Sequence, residues 1–273
     1  MLTPPRPIAF ILASSNHGTM IVNRNDYCMV GENRAYGVGF QILNNSVFDP
    51  TEVNFAMALL TCRRKHFGDG VFAIDGGANI GVHTIEWARQ MHGWGEVLGF
   101  EAQEVVFYAL AGNVAINNCL NARVKLSALG EICGELAIPQ PNYFQPSSFG
   151  SLEIRENTKN EFIGQKISYD EKLMRKIPMV SIDSLNLNRL DFFKLDIEGM
   201  EVEVLKGSTE TLKRCKPIML IEMIKSDKIA LQQFVGNLGY RFFEMGINLL
   251  VIHESDPTLQ QISVENNQIM LKL

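Results

Sequence analysis

Several features are scarce in this chain of 273 residues, and each absence narrows the class of protein. The five cysteines are scattered, and none forms the close pair that typically binds zinc or carries out redox chemistry. Reduced, buried thiols are therefore the simplest interpretation. Histidine is also rare, and His66, His92 and His253 lack the spacing of metal ligands. The sequence thus predicts no metal site.

Long apolar runs and an excess of basic residues are lacking as well. The most apolar N-terminal stretch, residues 8–13, is too short to span a bilayer and is more typical of a short strand. The chain has 25 Lys and Arg against 30 Asp and Glu, which gives no electrostatic support for nucleic-acid binding. We therefore expect a cytoplasmic protein without a nucleic-acid or membrane partner, while the oligomeric state stays open.

From residue 71 onward, apolar runs alternate with segments of helical spacing. Strands are predicted at 71–74, 97–100, 124–128, 191–196, 218–222, 240–244 and 248–252. Several of these runs are apolar throughout, as expected for strands that are buried on both faces. Such a βαβ series predicts an α/β fold built on a mostly parallel sheet.

Two regions lack this alternation of strands and helices. Residues 1–67 are interpreted as an N-terminal extension that packs on the main domain of residues 68–273. The extension is predicted to contain strands, one of them at 36–43, and one helix that starts near Thr51. Residues at about 130–180 are rich in proline and serine and too long for a plain loop, so they are predicted to be a small β insertion or a lid.

The first central strand leads into the turn Asp75-Gly76-Gly77-Ala78-Asn79-Ile80-Gly81 and then into a helix. Strand, glycine turn and helix form the nucleotide cradle of doubly wound sheets. Asp75 separates the ligand classes, because a carboxylate here would repel the pyrophosphate of a dinucleotide and attract an ammonium group. The motif therefore favours S-adenosyl-L-methionine, which carries an amino acid end, over NAD.

Acidic residues also end three other predicted strands, so four carboxyl groups should line one edge of the sheet. Glu101 ends the second strand and could accept both ribose hydroxyls of an adenosyl group, or it could merely cap the next helix. Asp196 and Glu222 end the fourth and fifth strands. Lys194 shares a face with Asp196 and needs an acidic partner in so apolar a strand. For Lys194 and Glu222, catalysis and a structural ion-pair network both remain open.

These residues belong to longer motifs that resemble the FkbM-type S-adenosylmethionine-dependent methyltransferases. The motifs are Ile74–Thr84, Phe100–Gln103, Asn113–Asn118, Ser181–Leu185, Lys194–Glu201 and Pro217–Glu222. The resemblance covers roughly residues 68–252. Where the family usually has Glu-Pro, this chain has Glu101-Ala102-Gln103, which suggests a subfamily and leaves ribose binding intact.

The resemblance implies a Rossmann-like class I methyltransferase fold with seven strands, the last antiparallel. It implies methylation of a hydroxyl on a sugar or natural product, with a small-molecule or glycan acceptor as partner, S-adenosylmethionine as cofactor and no metal. The implied cofactor residues are Asp75, Gly76, Gly77, Ala78, Asn79 and Gly81 around the methionine end, Glu101 with Ala102 at the ribose, Ala128 and Leu129 beside the adenine, and Asp196 at the methionine amine or the reacting centre.

An alcohol is a poor nucleophile until a base takes its proton, so a general base is expected. The candidates are Glu198, Glu222, His83 and Asp196. Glu198 is preferred because it lies just past a strand end, in a turn set by Gly199. Capping of the following helix is the alternative for Glu198, and packing against the sheet is the alternative for His83.

Other functions stay open from the sequence. A dinucleotide-dependent oxidoreductase could use a similar turn, although Gly76, Gly77 and Gly81 do not make the pattern G-x-G-x-x-G. A cofactor-binding scaffold or sensor without transferase activity would carry the same motifs. Nitrogen and carboxylate groups are alternative methyl acceptors.

Overall fold

The computed structural model describes residues 7–31, 34–158, 160–265 and 268–272, so residues 1–6 of the predicted extension lie outside the described part. The helices are α1 (Val38–Asn45), α2 (Pro50–Phe67), α3 (Val82–Gln90), α4 (Glu104–Ile116), α5 (Glu201–Lys206), α6 (Thr209–Cys215) and α7 (Lys228–Asn237). No described helix has the length and apolarity that crossing a membrane requires.

The described strands precede, form and follow a central sheet. Before it come β1 (Phe10–Ser15), β2 (Gly18–Asn23), β3 (Cys28–Val30) and β4 (Arg34–Tyr36). The central strands are β5 (Val71–Gly76), β6 (Gly95–Glu101), β7 (Ala122–Leu126), β11 (Phe192–Leu195), β12 (Ile218–Glu222), β13 (Tyr240–Met245) and β14 (Asn248–His253). The others are β8 (Ala128–Leu129), β9 (Gly134–Ile138), β10 (Arg175–Val180), β15 (Ile262–Glu265) and β16 (Gln268–Leu271).

The central sheet has the strand order β13-β14-β12-β11-β5-β6-β7. Strand β14 is antiparallel to both of its neighbours, whereas the other neighbouring pairs are parallel. The α/β, Rossmann-like sheet of seven strands with an antiparallel last strand is therefore confirmed. Each strand lies where an apolar run predicts one, with ends that differ by a few residues.

Apolar cores cover both faces of this sheet. Successive side chains of β11 point to opposite faces, so that Phe192 packs with residues of α2 and α3 while Phe193 packs with residues of α5, α6 and α7. Trp87 of α3 meets Phe192 edge to face, with 5.1 Å between ring centroids. Burial on both faces explains why the central strands are apolar throughout.

The N-terminal segment contains a helix that the sequence pattern does not predict. The strand prediction for residues 36–43 is wrong, because α1 begins at Val38, and the described part of the segment holds two helices where one was predicted. Gly37 has φ 144°, and a Cβ there would clash with the backbone oxygen of Asp26. The Asp26 carboxylate accepts a hydrogen bond from the Gly39 backbone N–H at 2.8 Å. A distant side chain thus satisfies the start of α1.

The predicted helix near Thr51 is α2, and Asp49 is its N-cap. One face of α2 packs in the same core as α3, through Val53, Ala56, Leu59 and Leu60. This packing brings the first turn of α2 close to the central sheet. The predicted start of the helix is therefore confirmed, and its position in the fold becomes important below.

The region at 130–180 contains a small sheet and a long irregular segment. Strand β10 pairs antiparallel with β9 and parallel with β8. The irregular segment docks on the N-terminal segment, since the Phe149 backbone N–H donates to Asp26 Oδ1 at 3.0 Å and Ser147 N–H donates to Asn25 O at 3.0 Å. The β interpretation of this insertion is thus correct for its two ends.

Candidate active site

A cavity of about 280 Å³ lies at the carboxyl ends of the central strands. Three parts of the chain line it: the loops after the central strands, residues within 36–52 of the N-terminal segment, and residues within 148–154 of the insertion. Ligands of open α/β sheets bind at this edge. The cavity is therefore the candidate site of chemistry.

Most of the residues that the sequence predicts for the site come together in this cavity. Those that line it are Asp75, Gly77, Ala78, Asn79, His83, Glu101, Ala102, Ala128, Leu129, Lys194, Asp196, Glu198 and Glu222. Gly76 and Gly81 are not among the lining residues. A Cβ on Gly76 would lie 3.0 Å from Leu129 Cδ1, and one on Gly81 would lie 2.6 Å from Leu110 Cδ1. These two glycines permit close packing next to the cavity.

The glycine turn lies directly against the end of β11. Gly77 has φ 78°, and a Cβ there would overlap the backbone oxygen of Asp196. The backbone N–H groups of Gly77 and Ala78 both donate to Phe100 O, at 3.0 and 2.8 Å. Only glycine allows the turn to approach both neighbouring strands so closely.

Asp75 and Glu101 line the same cavity from adjacent strands. Asp75 is almost fully buried, and Thr84 Oγ1 donates to its Oδ2 at 2.6 Å. Burial raises the pKa of Asp75, although the nearby Lys194 ammonium opposes the shift. Two acidic strand ends therefore face one crevice, as the sequence predicts.

Glu101 braces two loops while it faces the cavity. Its Oε2 accepts the Asn79 backbone N–H at 2.9 Å, and its Oε1 accepts the Gln103 N–H at 2.7 Å. Gln103 is the N-cap residue of α4, and no side-chain hydrogen bond caps this helix. Glu101 therefore fixes the residue before the helix without capping it. Burial raises the pKa of Glu101 to about 7, against the effect of these backbone donors.

Lys194 supplies the ammonium group of the cavity lining. Its Nζ lies 2.7 Å from Asp196 Oδ2 and 3.8 Å from Glu52 Oε1. Burial by itself lowers the pKa of Lys194, but Asp196, Glu52 and Asp75 outweigh it and the net pKa is raised. Lys194 is therefore charged, and Asp196 is one of the partners that its strand position predicts.

Glu52 is a site residue that the sequence patterns do not reveal. It lies in the first turn of α2, and its Oε1 is 3.0 Å from His83 Nε2 while its Oε2 accepts from Asn248 Nδ2 at 2.6 Å. Burial raises the pKa of Glu52, and the Lys194 ammonium opposes that shift. The sequence shows an acidic helix start after Asp49 but not that the helix lies over the sheet edge.

His83 lies between the sheet and the cavity, in edge-to-face contact with Trp87 at 5.5 Å between ring centroids. Burial, together with the charge of Lys194 and the neighbouring His17, lowers the pKa of His83 well below its ordinary value. The imidazole is therefore neutral near pH 7. Packing against the sheet and access to the cavity occur in the same residue.

Glu198 faces the cavity from a turn with left-handed backbone, φ 60°. Its Oε2 lies 2.7 Å from Lys225 Nζ. Burial and then the Asp196 charge raise the pKa of Glu198 to about 8, while Lys225 opposes the shift. The capping alternative is wrong for this residue, since the N-cap of α5 is Met200 and no side-chain hydrogen bond caps this helix. In the turn before the helix, the Glu201 carboxylate accepts the Gly199 backbone N–H at 3.1 Å.

Glu222 completes a group of three carboxyl side chains with Asp196 and Glu198, and one oxygen from each lies within 4.8 Å of one oxygen from each of the others. Burial, then the charges of Asp196 and Glu198, raise the pKa of Glu222 to about 9. Like charges in a partly desolvated site disfavour one another's ionised forms. The expectation of no metal here stays a prediction.

A family model matches the part of the chain that builds most of this site. The Methyltransferase FkbM domain spans residues 75–242. This chain belongs to the FkbM methyltransferase family. That membership favours a methyltransferase over the dinucleotide-dependent oxidoreductase. The match contains the glycine turn, Glu101 and the three grouped carboxyls, whereas Glu52 and Asn248 lie outside it.

Two curated relatives carry methyltransferase names. Methyltransferase 1 of Beauveria bassiana (strain ARSEF 2860) is 27% identical over 156 residues, which are 52% of this chain and 59% of the relative. Methyltransferase sdnD of Sordaria araneosa is 28% identical over 158 residues, 51% of this chain and 61% of the relative. The matched part thus spans about three fifths of each relative's length.

Among solved structures, Methyltransferase FkbM from Methylobacillus flagellatus KT is similar at 17% sequence identity. The alignment covers 70% of this chain and 48% of that chain, with a TM-score of 0.47. So distant a likeness carries no argument about substrate or mechanism.

Proposed function

We propose that this protein is an S-adenosylmethionine-dependent methyltransferase that methylates a hydroxyl group of a sugar or natural product. The observation that carries the proposal is the excess of carboxyl groups in the cavity. Among the described residues, its lining contains the carboxyl groups of Asp49, Glu52, Asp75, Glu101, Asp196, Glu198 and Glu222 and the ammonium of Lys194. A ligand with a sulfonium and an ammonium group suits this lining, whereas a diphosphate would be repelled.

The cavity residues fit the parts of the cofactor. Asp75 and Asp196 would hold the ammonium of the methionine end, and Gly77 lets the turn lie directly against Asp196 at the end of β11. Glu101 has its carboxylate fixed by two backbone donors and would accept the ribose hydroxyls. Ala128 and Leu129 would offer apolar contact to the adenine.

When bound, S-adenosylmethionine supplies a methyl group activated by a positively charged sulfur. The acceptor oxygen takes this methyl group and gives up its proton, so the chain must position the acceptor and receive the proton. We assign the proton to a Glu198 carboxylate oxygen. A base with a pKa of about 8 works close to neutral pH.

Glu222 is the second candidate for the base, since its pKa is raised further, to about 9. Lys194 belongs to an ion-pair network with Asp196 and Glu52 and would hold these carboxylates in place. His83 is neutral and close to Glu52, which suits an orienting role. The acceptor is expected to be a small molecule or glycan, and nitrogen and carboxylate acceptors remain alternatives.

Thermal unfolding with added ligand tests the cofactor assignment. S-Adenosylmethionine at 100 times its dissociation constant should add about 2.7 kcal/mol to the free energy of unfolding. NAD at the same concentration should add none. Stabilisation by NAD and not by S-adenosylmethionine would contradict the proposal.

A screen for S-adenosylhomocysteine formation with nucleotide sugars, glycans and polyketide alcohols then tests catalysis. Turnover with one of these classes and methylation of an oxygen are expected. Tight cofactor binding without turnover on any acceptor would favour the scaffold or sensor alternative.

A further inference from the structure

We propose that Glu52, which the N-terminal segment supplies from outside the family domain, is a positioning residue of the methyl-transfer site. It lies beside Lys194 and His83 and adds a negative charge that distinguishes the sulfonium cofactor from its product, whose sulfur is uncharged. This inference rests on the proposed function. Residues before position 75 would then be part of the transferase centre and not only a covering layer.

Glu52 meets side chains from three other elements. His83 comes from α3, Lys194 from β11 and Asn248 from β14, at 3.0, 3.8 and 2.6 Å from the two carboxylate oxygens. The Glu52 side chain is only 12% exposed and lines the cavity. A carboxylate that is nearly buried and contacts a lysine, a histidine and an amide has its position determined by the whole site.

The backbone that carries Glu52 is fixed at both ends of α2. Asp49 Oδ1 accepts the Glu52 N–H at 3.2 Å and caps the helix. Further along, Arg63 is buried and its Nη2 lies 3.1 Å from Asp191 Oδ1. The helix is thus anchored to the central sheet, and Glu52 reaches the cavity from a rigid support.

A structural alternative exists, because an acidic residue in the first turn of a helix stabilises it through the helix dipole. That role would not depend on the charge of a ligand. The proposed role would, because removal of the Glu52 charge leaves Lys194 opposed chiefly by Asp196 and makes the cavity less negative. The affinity for S-adenosylmethionine should then fall more than the affinity for S-adenosylhomocysteine, whose sulfur carries no charge.

Isothermal titration of the full chain with each ligand measures both affinities. Glu52→Gln should weaken binding of S-adenosylmethionine about fivefold more than binding of S-adenosylhomocysteine, an order of magnitude set by one charge acting across a partly screened cavity. Glu52→Asp keeps the charge and should largely restore the wild-type ratio. Glu96→Gln is the matched control, because Glu96 pairs with Arg123 at the opposite end of β6 and does not line the cavity.

If Glu52→Gln weakens the binding of both ligands equally, Glu52 has a purely structural role and the inference is overturned. Unchanged affinities for both ligands would overturn it as well. If Glu52→Gln does not fold, Glu52→Ala provides a second neutral side chain, and its ratio must shift in the same direction. Failure of the wild-type chain to bind S-adenosylmethionine at all would instead refute the proposed function. The two failures are therefore distinguishable.

Discussion

Buried charges gather at both ends of β11, and the two groups differ in balance. Before the strand, Asp191 accepts hydrogen bonds from Arg189 Nε at 2.7 Å, Arg63 Nη2 at 3.1 Å and the Phe72 backbone N–H at 2.9 Å. Arg63 also pairs with Asp256, and we call these two arginines and two aspartates the matched group. After the strand lies the unmatched group, the carboxyl groups of Asp196, Glu198 and Glu222. They outnumber their ammonium partners, Lys194 and Lys225, and the pKa values of Glu198 and Glu222 are raised.

The comparison separates charge used for folding from charge used for binding. In the matched group before β11, the carboxylate of Asp191 has all its hydrogen-bond donors in place. Loss of this carboxylate would therefore leave buried donors without their acceptor. The unmatched group after β11 keeps like charges together, which disfavours the ligand-free protein and attracts a cation. Substitutions in the two groups should therefore have opposite effects on stability.

The largest effect is expected in the matched group. Asp191→Ala removes a buried carboxylate that Arg63 and Arg189 share and leaves the buried Arg63 with Asp256 alone, which should lower the free energy of unfolding by about 3–5 kcal/mol. Urea denaturation measures the change. The control is Asp69→Ala, which breaks the exposed pair of Asp69 with Arg64 and should cost less than about 1 kcal/mol. Similar values for the two variants would remove the distinction.

In the unmatched group, the largest effect should be on catalysis. Glu198→Gln removes the proposed base and should lower kcat by roughly two orders of magnitude, a larger factor than its effect on the dissociation constant of S-adenosylmethionine. The comparison needs an acceptor from the screen and single-turnover kinetics. Unchanged turnover would transfer the role to another carboxyl group, with Glu222 the next candidate.

The glycine turn beside the cavity end of β11 should not tolerate a side chain at Gly77. Gly77→Ala should lower the free energy of unfolding, or weaken cofactor binding, by about 2 kcal/mol more than Gly68→Ala. Both positions have a positive φ that disfavours alanine, but only a Cβ at Gly77 would also clash with the Asp196 backbone. Gly68 has φ 76°, and a Cβ there has no neighbour within 4 Å. Equal effects would mean that the approach of the turn to β11 is unimportant.

The smallest effect, and the one of opposite sign, concerns Glu222. Its folded-state pKa lies above the ordinary value, so its contribution to stability is fully present below about pH 4.5 and is lost as the pH rises through about 9. Glu222→Gln abolishes that loss and should stabilise the ligand-free protein by about 1 kcal/mol or more at pH 9, with little change at pH 5. Destabilisation at pH 9, measured by urea denaturation, would contradict the repulsion.

Local sequence patterns were sufficient to predict the central sheet and the acidic strand ends that face the cavity. Apolar runs mark strands that are buried on both faces, and an acid directly after such a run must lie at the sheet edge, as Asp75 and Glu101 do. The start of α2 could also be predicted, since Asp49 followed by Pro50 is a common pattern at the start of a helix.

Features that depend on contacts between distant segments could not be predicted in this way. Helix α1 owes its first turn to the Asp26 carboxylate, 13 positions earlier than its partner Gly39. Glu52 becomes a site residue only because Asn248 and Lys194 meet it in the folded chain. The carboxylate that accepts the backbone N–H groups of the turn after β11 proved to be Glu201, whereas Glu198 faces the cavity.

Proton release on ligand binding tests the central claim most directly. Titration calorimetry at pH 7 in two buffers of different ionisation enthalpy counts the protons released. Glu101, Glu198 and Glu222 have pKa values raised to about 7, 8 and 9, so a bound cation should drive their ionisation. We expect S-adenosylmethionine to release about one proton or more, and S-adenosylhomocysteine to release fewer. No release, or equal release by the two ligands, would contradict a cavity whose unmatched carboxyl groups recognise the positive charge.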